Sequence, residues 1–159
     1  MDNSAQLNHS TVDVESKSLF SVFQPIYSFS NQACIGVEAL IRGRSTETGF
    51  QVPVSECLAE PEHLTKAEYS QMINRMHLKN WQSLKLPDSW IFLNLDFEGV
   101  SSLDDLCIAD LLTELKMQGH EVVIEVVESE ITDEDVFDAI IQTLRQLGCL
   151  IALDDFGAG

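Results

Sequence analysis

From about residue 90 onward the chain alternates short apolar runs with segments of helical period, and this grammar restricts its fold more than any other feature. Trp90 to Leu95 reads as a strand, and Leu103 to Gln118 as a helix that Ser102 caps and Gly119 ends. Ile108, Leu111, Leu112 and Leu115 form the inward stripe of that helix. Glu121 to Val127 is the next strand. Thr132 then caps a helix from Asp133 to Leu147, whose first turn carries Asp133, Glu134 and Asp135, where the helix dipole favours negative charge. Gly148 ends it, and Leu150 to Leu153 is the last strand. Strands that are almost continuously apolar are covered on both faces. The expected class is therefore α/β, either a (β/α) barrel or an open parallel sheet of flavodoxin type, which shares the same local grammar.

The upstream part is less regular. Met1 to about Ser18 is polar and aperiodic, and reads as a flexible N-terminal segment. Phe20 to Phe29 and Cys34 to Ile41 are β-rich runs joined by the turn residues Ser30, Asn31 and Gln32. Residues 43–63 contain Gly43, Gly49, Pro53 and Pro61 and read mostly as loop. A helix over Leu64 to Leu84 follows, with Tyr69, Met72, Ile73, Met76 and Trp81 on one stripe and Pro87 just beyond its end. The total is five candidate barrel strands.

Charge narrows the function. Nine Lys and Arg against 26 Asp and Glu give a net charge of −17, which repels a nucleic-acid polymer or an anionic membrane surface. A small anionic substrate is compatible with that charge only if metal cations stand between carboxylate and phosphate. No apolar run reaches the ~18 residues of a membrane span, so no membrane insertion is expected. Cys34, Cys57, Cys107 and Cys149 form no CxxC pair. In largely apolar surroundings they read as buried free thiols of a reducing cytoplasm, with a two-disulfide secreted domain as the alternative.

Acidic or amide side chains lie in or just after four of the strands: Glu38, Asn94, Glu125 with Glu128, and Asp154 with Asp155. In a barrel or parallel sheet the downstream strand ends gather on one face, where sites form. A carboxylate inside an apolar strand is costly unless something compensates it, so Glu38 and Glu125 are poorly explained as packing. Carboxylates with one amide oxygen suit hard cations such as Mg²⁺ or Mn²⁺. Each residue also has a plainer explanation: a solvated turn for Asp154 and Asp155, a backbone hydrogen bond for Asn94, a cap for Glu128, a basic partner for Glu38 and Glu125. Their conjunction on one face favours the metal site.

Gln24-Pro25-Ile26, Glu38-Ala39-Leu40-Ile41-Arg42, Asn94, Glu125-Val126-Val127-Glu128-Ser129 and Asp154-Asp155-Phe156-Gly157-Ala158-Gly159 resemble, in order and spacing, the successive motifs of the EAL family. The resemblance covers residues 19–159. It implies a modified (β/α)8 barrel, here incomplete with about five of eight barrel strands, and a metal-dependent phosphodiesterase that hydrolyses the bacterial second messenger cyclic di-GMP to pGpG. By the resemblance, Glu38, Asn94, Glu125 and Asp154 bind one metal, Asp155 holds or shares the second, and Glu38, Asp154 and Asp155 carry the chemistry. Gln24, Leu40 and Arg42 contact the dinucleotide, and Glu128 braces the loop that starts at Asp155. The family's lysine, a further metal-binding glutamate and a glutamine have no counterpart up to Gly159. The chain is therefore expected to be a C-terminally truncated domain, inactive by itself. It is also expected to associate through open edges, as a homodimer or with a partner that completes the barrel. The alternative is a non-catalytic module that binds cyclic di-GMP or a protein. Gly43 departs from the family by replacing the aromatic residue common after its arginine.

Overall fold

The computed structural model describes residues 10–86, 89–95, 108–127 and 134–154. Its elements are β1 (Val12–Val14), β2 (Lys17–Ser28), β3 (Ala33–Ser45), β4 (Gln51–Val52), α1 (Val54–Leu58), α2 (Lys66–Leu84), β5 (Trp90–Asn94), α3 (Ile108–Leu115), β6 (Val122–Val127), α4 (Glu134–Gln146) and β7 (Leu150–Asp154). One seven-stranded sheet holds the strands in the order β1-β2-β3-β5-β6-β7, with β4 paired to β3. β2 and β3 form a long antiparallel hairpin. β3, β5, β6 and β7 then run parallel. The five long strands are those expected from sequence, in the arrangement of an open portion of a (β/α) barrel.

Two upstream expectations are corrected. The segment read as flexible through residue 18 contains β1 and the start of β2, and Val12–Val14 pairs with Lys17–Leu19. A three-residue strand closed by a tight turn has too little periodicity to be seen in the sequence. Residues 43–63, read mostly as loop, contain the end of β3, β4 and the short α1. Gly43 explains the tight fit there. A Cβ at this buried position would lie 2.8 Å from Cys57 Sγ and 3.0 Å from Val52 Cγ2, so the absent side chain lets α1 and β4 close over β3. This accounts for the departure from the family's aromatic residue.

Local chemistry sets the boundaries of α2. Thr65 Oγ1 accepts from the Glu68 backbone N–H at 3.2 Å, and Glu68 Oε2 accepts from the Thr65 N–H at 2.9 Å. This reciprocal cap satisfies two otherwise orphaned donors and holds the exposed Glu68 carboxyl below its usual range. At the other end Lys85 takes the left-handed conformation, φ 51°. Arg75 on α2 pairs with Glu114 on α3.

The helices cover one face of the sheet. Val37 and Ala39 of β3, Ile91 and Leu93 of β5, and Val122, Ile124 and Val126 of β6 pack against Leu78 and Trp81 of α2, Ile108 and Leu111 of α3, and Ile140 and Leu144 of α4. A smaller cluster of Leu19, Ile41, Cys57, Tyr69 and Met76 seals the end where α1 sits. Between the two, buried polar groups satisfy one another. Asn80 clamps the Ser10 backbone, accepting its N–H at 2.7 Å and donating to its carbonyl at 2.9 Å. Asn80 Nδ2 also donates to Ser21 Oγ at 2.9 Å, which leaves the hydroxyl proton for His77 Nδ1, likewise at 2.9 Å. Burial pushes the His77 imidazole down to about 4, so it is neutral at neutral pH and serves as a core hydrogen-bond partner.

Candidate metal and phosphodiester site

Because side chains alternate along a strand, burying Val37, Ala39, Ile91, Leu93 and Ile124 under the helices turns the intervening residues to the opposite face. Glu38, Leu40 and Arg42 of β3, Phe92 and Asn94 of β5, and Glu125 of β6 occupy that face. Adjacent strands are registered so that Glu38 lies beside Phe92, Asn94 beside Glu125, and Val127 beside Asp154. The four candidate positions thus climb diagonally across the sheet, as the stagger of tilted barrel strands requires.

Neighbouring strands bring three of the expected ligands together. Asn94 is exposed at the end of β5, and its Nδ2 donates to Glu38 Oε1 at 3.0 Å. Glu125, half-buried, is the cross-strand neighbour of Asn94. Asp154 is placed by its backbone at the end of β7. Glu128 and Asp155 lie outside the described residues. Among the described residues, no three His, Cys, Asp or Glu side chains gather closely enough to hold a metal ion. The described constellation is a carboxylate hydrogen-bonded to an amide, with a second carboxylate on the adjacent strand, oxygen donors of the kind suited to Mg²⁺ or Mn²⁺.

The residues expected at the substrate lie along the hairpin. Gln24 is exposed opposite Glu38, and Leu40 and Arg42 follow on the same face, both half-buried. Arg42 Nη1 donates to the Ile41 carbonyl at 2.7 Å. The sequence reading missed a contact beside them: the Arg44 guanidinium carbon sits 5.3 Å from the Phe20 ring centroid. Arginine and aromatic are 24 residues apart, and only the hairpin register reveals that they meet.

The EAL domain family model matches residues 5–159. The chain belongs to the EAL family. Curated relatives of this EAL domain include "Probable cyclic di-GMP phosphodiesterase PdeB" of Escherichia coli K12, 26% identical over 153 residues that cover 92% of this chain and 29% of that protein. "Cyclic di-GMP phosphodiesterase PA2567" of Pseudomonas aeruginosa is 29% identical over 145 residues, covering 87% of this chain and 24% of that protein. The chain therefore spans about a quarter of the length of these relatives. Among solved structures, Klebsiella pneumoniae BlrP1 in a calcium and cyclic di-GMP complex superposes with a TM-score of 0.67 at 23% identity, over 98% of this chain and 40% of that one. The PaMucR phosphodiesterase in complex with cyclic di-GMP gives 0.63 at 24% identity, over 89% and 59%. At this identity the structures establish the EAL fold.

Proposed function

We propose that this EAL domain serves a metal-dependent phosphodiesterase that hydrolyses cyclic di-GMP to pGpG in the cytoplasm. The observation that carries the reading is the Glu38–Asn94–Glu125 constellation on the sheet face opposite the described helices, in a chain of this family. Glu38, Asn94, Glu125 and Asp154 would hold one Mg²⁺ or Mn²⁺, and Asp155 would hold or share a second. Such cations, when bound, neutralise the phosphodiester and lower the pKa of a bound water. The chain's own residues do the rest. Asn94 fixes the Glu38 carboxylate by its hydrogen bond, Arg42 orients a phosphate through its planar fork, and Gln24 and Leu40 position the nucleotide. Glu128 braces the loop at Asp155. One water adds to phosphorus, one P–O bond opens, and the ring becomes linear pGpG.

Chromatography of products tests the reading in the full protein that contains this domain. pGpG should accumulate from cyclic di-GMP with Mg²⁺ or Mn²⁺ and stop when EDTA removes the metal. Binding of cyclic di-GMP without any pGpG would instead establish a non-catalytic module.

Two further features support the cellular setting and the assembly. Among the described residues Cys34, Cys57 and Cys149 are free thiols, Cys57 and Cys149 buried as expected and Cys34 exposed against expectation because it lies beside the turn of the β2–β3 hairpin, and no helix is long and apolar enough to cross a membrane. Among the described residues no strand pairs with the outer edge of β7 or with β2 beyond the stretch covered by β1, and such edges are templates for strand addition. Val22, Trp90 and Leu150 are about two-fifths exposed on the same face. These edges fit a second copy or a partner that extends the sheet. Light scattering of the 159-residue chain at micromolar concentration should show a dimer or larger species; a well-folded monomer would reject the association.

A further inference from the structure

We infer that Phe20 and Arg44 form a stacking position for the distal purine of the dinucleotide, a contact beyond Gln24, Leu40 and Arg42. The inference rests on the reading of this face as a cyclic di-GMP site. In the β2–β3 hairpin Gln24 pairs with Glu38, Val22 with Leu40 and Phe20 with Arg42. Directly paired residues share a face, so these rungs make one continuous lane leading away from the carboxylates. Phe20 is half-buried on the rung it shares with Arg42, and the next rung on that face pairs Ser18 with Arg44. Arg44 is the next residue of β3 on that face. It is exposed, and its guanidinium lies against the Phe20 ring at 5.3 Å.

Length and charge fix the chemistry of the occupant. At roughly 3.4 Å per residue, Arg44 stands about 7 Å beyond Arg42 and about 20 Å beyond Glu38. A cyclic dinucleotide with its phosphates near the carboxylate row sends one purine in each direction, so one of the two points along this lane. In a chain with nine basic residues against 26 acids, two arginines spaced two apart on one strand face reverse the local charge. That favours a phosphate-bearing ligand at this end of the lane. The basic residue at the start of β2, Lys17, is engaged elsewhere, donating to the Glu56 carbonyl at 2.8 Å. An aromatic ring with a guanidinium beside it suits a planar base, which stacks on both.

Calorimetric titration of the full protein that contains this domain, in Ca²⁺, which the BlrP1 complex shows to be compatible with a bound dinucleotide, tests this with cyclic di-GMP and separately with GMP. Arg44→Gln is expected to weaken cyclic di-GMP binding about tenfold, the scale of one lost base stack, and to leave GMP binding unchanged. Phe20→Leu keeps an apolar side chain in the sheet and should show the same selective loss. Wild-type affinity for cyclic di-GMP in both variants would overturn the inference. Equal losses for both ligands would overturn it too, since the contact would not be distal. If the unaltered full protein fails to bind cyclic di-GMP, the underlying functional reading falls. That outcome is distinct from intact wild-type binding with unaffected variants.

Discussion

Glu125→Gln is expected to weaken Mn²⁺ binding at least tenfold and to cut pGpG release about 100-fold or more, beyond the ~10–100-fold typical of outer-shell partners because a ligand itself is lost. The substitution preserves volume, so β6 and its pairing with β5 should survive. What it removes is one of two carboxylates flanking Asn94. A hard cation gains most of its binding from charged oxygens, and an amide supplies only a dipole. Calorimetry with Mn²⁺ reads the affinity and product chromatography the turnover. An unchanged Mn²⁺ affinity would reject Glu125 as a ligand, whatever happened to the rate.

The second large effect concerns the scaffold beneath the site. Gly119→Ala is expected to destabilise the domain by about 3 kcal/mol, the upper end for inserting volume into a packed region. Gly119 starts the 3-10 turn, Gly119–Glu121, that leads into β6. A Cβ there would lie 1.9 Å from the Leu147 carbonyl oxygen and 2.8 Å from its carbon. Both are backbone atoms of the connection between α4 and β7, so no side chain can swing aside. The turn and the connection must separate, and with them the strands that carry Glu125 and Asp154. Urea unfolding measures the cost. A midpoint equal to the wild type would show that the α4–β7 connection yields freely.

The downstream half of the fold was legible because its signals are redundant. α4 carries inward residues such as Ile140, Ile141 and Leu144 at helical spacing, with Gly148 to stop it, and β6 is an apolar run too short to be a helix. The upstream half was legible only in outline. Gly43 reads as a breaker, yet in the fold it is a packing position inside a thirteen-residue strand. Pro53 reads as loop, yet it immediately precedes α1. The candidate site divides the same way. Carboxylates in apolar strands announce themselves one by one, because an apolar strand gives them no other purpose. That Asn94 reaches Glu38, or that Arg44 lies over Phe20, depends on strand register, which no local pattern encodes. The Ser10–Asn80–Ser21–His77 network was invisible for the same reason, since its members span 70 residues.

We expect one face of the sheet to hold the metal through Glu38, Asn94 and Glu125 with Asp154. A titration of isotope-labelled protein with Mn²⁺, followed by paramagnetic broadening of backbone amides, tests it directly. The amides of Glu38, Asn94, Glu125 and Asp154 should broaden first and together, at substoichiometric metal. Early broadening centred instead on the acidic start of α4, at Asp135 and Asp138, with the strand residues unaffected, would contradict it.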